Sequence, residues 1–131
     1  DGGFNPWDGK FIIGFPNWLT PAATDLWSGT AAENNPCPSG YRVPTNAEWN
    51  QERLTWSSNN AAGAFASPLK LPLTGNRDNS SAVLFQVGNT GYYWSSTVSG
   101  VGYRYLSFYA IVASMTQVVG AYGLSVRCLK D

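Results

Sequence analysis

The chain contains no histidine, and only 12% of its 131 residues are charged. Without imidazole there is no histidine-based triad, no histidine general base and no histidine metal site. Eight basic residues balance eight acidic ones, so no basic excess exists to neutralise nucleic-acid phosphates, and no nucleic-acid partner is expected. Sulfur is scarce as well, with one Met and two Cys. Two cysteines cannot alone make a zinc site, which takes about four ligands. The apolar runs are far shorter than a membrane span, so no membrane insertion is expected. The opening residues Asp1-Gly2-Gly3-Phe4-Asn5-Pro6 do not read as a signal peptide, and a mature or excised piece is expected.

What the chain has in excess is aromatic surface. Aromatics make up 15%, including six Trp and seven Tyr. Disorder goes with few aromatics and high charge, so a folded chain is expected. The length suits one domain, residues 1–131, which would bury roughly two-thirds of its unfolded surface. A surface poor in charge and rich in Tyr, Trp, Ser, Asn and Gly has the palette of binding loops. Cys37 and Cys128 read either as two buried thiols or as one disulfide tying the C-terminal strand to the early part of the chain. The composition looks extracellular and favours the disulfide.

Gly, Pro and Asn recur throughout and apolar runs are short, which speaks against a helical bundle. Residues 10–15 (KFIIGF) predict a first strand, and 22–27 a short helix or turn. Residues 34–44 (NNPCPSGYRVP) predict a rigid loop with a short strand at 41–43. Thr45 followed by Glu48 is a capping box, so a helix is expected over about 47–54, with Trp49 and Leu54 on its buried stripe and Ser57 to Asn60 ending it. Residues 69–73 (LKLPL) predict an apolar strand or edge. Residues 75–80 predict a turn, with a weaker calcium-loop reading on Asn76, Asp78 and Asn79. Strands are expected at 82–87, 91–97, 103–111 and 124–129. The class is α+β: mostly β, one to two helices and much ordered loop.

The stretch 103–111 carries most information. Strand side chains alternate faces, so Arg104, Leu106, Phe108 and Ala110 share one face and Tyr103, Tyr105, Ser107, Tyr109 and Ile111 the other. Leu106 and Phe108 make the better core pair. The three Tyr are then either an exposed binding face, with large rigid area at low entropy cost, or cover for a second layer of core; periodicity leaves both open. Residues 112–122 (VASMTQVVGAY) mix small, apolar and polar residues without a clean period. A loop bearing Val118 and Val119 is either buried or binds something.

Three ordered motifs, residues 37–49 (CPSGYRVPTNAEW), 91–97 (GYYWSST) and 123–128 (GLSVRC), together resemble the Fibrobacter succinogenes major paralogous domain of surface proteins in gut Bacteroidetes. The resemblance covers about residues 34–131 and implies a C-type-lectin-like fold, related to that of formylglycine-generating enzymes. Within it, about 94–128 resembles the variable region of a diversity-generating retroelement, in which a reverse transcriptase copies a template, randomises its adenines and replaces the 3′ end of the target gene. This resemblance implies fixed residues such as Arg104, Leu106, Phe108, Ala113 and Met115. It implies a diversified, ligand-binding set of Gly102, Tyr103, Tyr105, Ser107, Tyr109, Val112, Ser114, Thr116, Val118, Val119 and Tyr122. Randomising the first two bases of AAY codons cannot produce Trp, Met, Gln, Lys or Glu, and that set contains none of them. Gln117 is not reachable, so it is fixed or comes from another codon. The implied fixed residues include the core pair chosen above, which moves the Tyr face toward exposure.

The relationship to formylglycine-generating enzymes raises redox catalysis, but Cys37 and Cys128 lie in the framework motifs and are better spent on a bridge to each other. No carboxylate pair stands out for glycoside hydrolysis, and Glu48 is better spent on its helix cap. The Trp-Asn-Asp stretch of calcium-dependent lectins is missing. Trp94-Ser95-Ser96-Thr97 reads as scaffold with Trp94 in the core, and Arg42 and Arg127 as structural hydrogen-bonders. The expectation is therefore no enzyme, no cofactor and no metal. Instead the chain is expected to be a receptor-binding or adhesin domain that meets a macromolecular ligand, a protein on a cell surface. It would sit outside the cell, on a cell surface or a phage virion, with oligomerisation through a parent protein. The alternatives are an invariant surface domain binding glycan or cell-wall polymer, and an assembly module of a pilus or virion.

Overall fold

The computed structural model describes residues 27–32, 34–100 and 102–131. The strand expected at 10–15 and nearly all of the segment 22–27 lie outside the described residues. The described chain is a mixed α and β structure with two helices and mostly antiparallel sheets. No helix among the described residues is long and apolar enough to cross a membrane.

Strand β1 (Tyr41–Arg42) leads through Pro44 into helix α1 (Asn46–Leu54). The capping box forms as its sequence predicts: Glu48 N–H donates to Thr45 Oγ1 (3.2 Å) and Thr45 N–H donates to Glu48 Oε2 (2.8 Å). Arg42 grips the same carboxylate with both terminal nitrogens, at 2.8 and 2.7 Å, and its Nε donates to Asp131. This fork holds the Glu48 carboxyl down at about 2, with burial opposing and Thr45 assisting. Arg42 thus has the structural role expected of it, whereas Arg127 is exposed. Trp49 is buried, but Leu54 is 69% exposed. Trp56, just past the helix, completes the apolar stripe in its place.

Helix α2 (Ala61–Ala66) is an element the sequence reading passes over. Its N-cap Asn60 accepts from Gly63 N–H at 3.1 Å, so the polar cluster that ends α1 also starts the next helix. Residues 69–73 form no strand. Lys70 takes a left-handed backbone (φ 50) and Pro72 lacks a donor, although Leu71 is still buried. The strand expected at 82–87 shrinks to β3 (Leu84–Phe85), paired with β2 (Asn76–Arg77). Left-handed backbone at Ala82 (φ 59) and Gln86 (φ 55) breaks it on both sides.

The main sheet has the order β4 (Gly91–Ser99), β5 (Gly102–Phe108), β6 (Ala113–Val119), antiparallel throughout. Strand β6 occupies much of the stretch 112–122, whose mixed composition hides it from periodicity, and β5 stops at Phe108 rather than continuing to residue 111. The strand expected at 124–129 survives only as β7 (Leu129–Lys130) against β1. Ser125 instead lies parallel to Tyr93 at the outer edge of β4, and Gly123 pairs with Arg77. Residues 123–125 thereby tie the β2–β3 hairpin to the sheet.

Directly opposed residues on neighbouring strands share a face. Tyr93, Leu106 and Met115 are aligned, as are Gly91, Phe108 and Ala113. This face packs on the helices: Trp49, Trp56, Ala64 and Leu71 join Tyr93, Leu106, Phe108 and Ala113 in one cluster. Tyr93 stacks on Phe108 at 5.8 Å, and Trp56 meets the Phe108 ring edge-on at 5.7 Å. Gly91 makes that packing possible, since a Cβ there would lie 2.2 Å from Phe108 Cζ. Trp49 Nε1 donates to the Trp94 carbonyl at 2.9 Å, satisfying the indole inside the core. Trp94 is in the core, as expected.

Cys37 and Cys128 form a disulfide with a Cα–Cα distance of 5.8 Å, closing a separation of 91 residues. It fastens the segment before β1 to the segment before β7.

Candidate ligand-recognition face

The opposite face of the sheet carries three cross-strand pairs from the set implied by the resemblance: Tyr103 with Val118, Tyr105 with Thr116, and Ser107 with Ser114. On the β4 side their neighbours are Val98, Trp94 and Tyr92. The register shifts between Trp94 and Val98, which lets both reach the same cluster. Ser95 Oγ donates to the Arg104 carbonyl (2.9 Å) within this irregular stretch, and Thr97 Oγ1 accepts from Asn46 N–H (2.9 Å), docking the start of α1 onto it. Gln117, the residue that AAY randomisation cannot reach, pairs with Arg104 and so belongs to the other face.

The face is not uniformly exposed. Tyr103, expected in the open, is 7% exposed. It packs with Trp27 at 5.5 Å and Trp94 at 6.1 Å, in a second cluster with Val43. At this end the Tyr do cover a second core layer. Tyr105 is half-buried, with Tyr92 at 5.9 Å and the edge of Trp94 at 6.2 Å. Burial pushes the Tyr105 hydroxyl above the ordinary tyrosine range, a hydrogen bond with Thr116 pulls it down, and the nearby Tyr92 and Tyr122 phenols push it up again. At the far end Ser107 and Ser114 face each other with their oxygens 3.5 Å apart, Ser114 is exposed, and Tyr109 is 41% exposed.

The remaining members of the implied set lie off these three pairs, two of them on the other face. Gly102 and Val119 pair with each other on the helix-side face, at the end of the hairpin. Gly102 is buried, and a Cβ on it would come within 2.9 Å of the Val118 carbonyl oxygen, so no side chain enters there without a shift of the strand. Val112 is half-buried in the β5–β6 connection, where its carbonyl accepts from Tyr109 N–H at 3.0 Å. Tyr122, half-buried beyond β6, turns back onto the Tyr103 cluster.

Between the buried and open ends lies a cavity of about 530 Å³. Tyr105, Val118, Tyr122 and Leu124 line its sheet side together with Tyr92, and the β2–β3 hairpin supplies Asn76, Asp78, Ser81, Val83 and Phe85. The hairpin wall was not legible as a site. Its one visible signal was the turn chemistry of Asp78, whose Oδ1 accepts from the backbone N–H groups of Ser80 (3.0 Å) and Ser81 (2.9 Å) and from both their hydroxyls. Those donors, the Ser80 hydroxyl first, hold the Asp78 carboxyl far below the usual carboxylate range. The turn expected over 75–80 is thus an Asx-type turn at residues 78–81, with Asn76 and Arg77 in β2. No group of three or more His, Cys, Asp or Glu that could hold a metal ion occurs among the described residues.

Compared with family models, curated proteins and solved structures, the chain matches none.

Proposed function

We propose that this chain is a recognition domain of C-type-lectin-like fold whose 94–128 segment is diversified by a retroelement. It presents one sheet face and the turns beside it to a protein on a cell surface, and it acts outside the cell, on a cell surface or a virion. One observation carries the reading. The implied diversified residues Tyr103, Tyr105 and Ser107 are the direct cross-strand partners of Val118, Thr116 and Ser114, which the same resemblance places in the set. The implied fixed residues Leu106, Phe108, Ala113 and Met115 pair with one another on the helix side. Apart from Gly102 and Val119 on the helix side and Tyr103 in the second cluster, such a sheet lets residues change on one face while the main core stays on the other. The disulfide supports the extracellular assignment. No reaction is assigned to the site; affinity comes from rigid aromatic anchors.

The test is the gene's DNA neighbourhood. A near-copy of the segment encoding residues 94–128, differing at adenines and lying close to a reverse-transcriptase gene, is expected. A genome containing no such copy refutes the diversification reading.

A further inference from the structure

The cavity beside the sheet has a composition that selects its occupant. Three tyrosine rings, Tyr92, Tyr105 and Tyr122, line it, and among the described residues Asp78 is the only formally charged one in its wall. Aromatic faces are negative, and so is a carboxylate, which also accepts hydrogen bonds. Together they ask for a cation that also donates hydrogen bonds.

Taking this face as the ligand side, we infer that the cavity receives an arginine side chain of a protein partner, its guanidinium stacked among Tyr92, Tyr105 and Tyr122 and donating to the Asp78 carboxylate. Arginine fits better than lysine because its planar cation stacks on aromatic rings and offers five donors in a fixed fork. The volume of about 530 Å³ admits a whole side chain with its flanking backbone. The cavity rim explains why the arginine arrives on a protein. Val83, Leu84, Phe85 and Val87 are each more than half exposed, and Val83 and Phe85 also line the cavity. A run of large apolar side chains in water is unfavourable unless something covers it, and apolar residues flanking the arginine would do so. Asn76, Asp78, Tyr92 and the rim lie before residue 94 or outside the diversified set. The inferred subsite is therefore anchored by fixed residues, while Tyr105, Val118 and Tyr122 tune it.

The experiment titrates the intact protein with N-acetyl-arginine methylamide and with its uncharged citrulline isostere, followed by nuclear magnetic resonance of the tyrosine ring protons and by calorimetry. Millimolar binding of the arginine probe is expected, about 10-fold tighter than citrulline, with ring shifts at Tyr92, Tyr105 and Tyr122. Asp78→Asn keeps an oxygen for the Ser80 and Ser81 donors and should weaken arginine binding by about 10-fold. Tyr92→Leu, a second variant that removes one ring, should weaken it in the same direction. Equal binding of the two probes, no binding of either at tens of millimolar, or undiminished arginine binding by both folded variants overturns the inference. These failures leave the recognition face standing if the template copy is found. Conversely, arginine binding without a template copy keeps the subsite and removes the diversification.

Discussion

Tyr103 and Tyr109 come from the same aromatic stretch, yet the structure predicts opposite consequences for removing them. Tyr103 is 7% exposed. Its ring lies 5.5 Å from Trp27 and 6.1 Å from Trp94, and its cross-strand neighbours are Val98 and Val118. Truncation to Ala leaves a cavity among residues that cannot all collapse into it, at a cost of about 3–4 kcal/mol. Lost ring contacts account for about 1–2 kcal/mol of that. In a chain of this size the loss lowers Tm by about 10 °C. Tyr109 is 41% exposed and lies just past the end of β5. Its backbone, not its ring, makes the local connections: its N–H donates to Val112 and its carbonyl accepts from Ala61 N–H at 2.9 Å. Tyr109→Ala should therefore cost less than about 1 kcal/mol. Urea unfolding followed by tryptophan fluorescence separates the two. If the two variants differ by less than about 0.5 kcal/mol, the assignment of a closed end and an open end to this face is wrong. A recognition assay that replaces both tyrosines at once confuses binding with folding; Tyr109→Ala alone is the informative variant.

The Arg42–Glu48 fork makes stability depend on pH in a fixed direction. Because the folded Glu48 carboxyl sits at about 2 rather than 4.5, its contribution is complete above pH 4.5 and disappears as pH falls through 2. With partial exposure screening the pair, about 1–2 kcal/mol is lost over that window. Glu48→Gln should flatten this part of the Tm-against-pH curve, and parallel curves for the two proteins contradict the assignment. At Gly91, an added Cβ meets the fully buried Phe108 ring. Gly91→Ala should cost about 2–3 kcal/mol in urea unfolding, and Phe108→Leu in the same chain should return part of it; no loss from Gly91→Ala alone rules out the close packing.

What could be read from the sequence was whatever local chemistry dictates. The α1 start was legible because Thr45 and Glu48 satisfy each other whatever the rest of the chain does. The alternation of Leu106 and Phe108 against Tyr105 and Ser107 was legible because a strand has period two. Strand β6 was not, because Val118 lies against the second cluster and the cavity and Thr116 is half-buried beside Tyr105, which removes the polar alternation that signals a strand. Helix α2 was missed because Asn60 acts as a cap for the chain that follows, while its neighbours read as a terminus. The burial of Tyr103 was beyond any periodicity argument, since it depends on Trp27, distant in sequence, arriving on the same face. The hairpin wall of the cavity was hidden for the same reason: Gly123 and Ser125 bring Arg77 and Tyr93 together from far apart in the chain.

These positions also limit how a diversified face can vary. Its closed end must keep roughly the volume of Tyr103 and Val118, because the second cluster is built around them. Phe and Tyr are both reachable from an AAY codon and fill that space; Asp, Asn and Gly are equally reachable and would leave it empty or place an unpaired polar group in it. Its open end, with Ser107, Ser114 and Tyr109, carries no such demand. Random mutation therefore does not give random surfaces. On the retroelement reading, many copies altered at residue 103 or 118 would lose stability before meeting a partner, whereas changes at 107, 109 and 114 would leave the fold intact. The tyrosine-lined cavity sits between the two regimes, with one wall fixed by the Asp78 turn and the other set by residues that the retroelement reading allows to change. On that reading, the fixed wall gives each version of the domain the same anionic anchor point for a cation, and the varied wall decides which partner's arginine can use it.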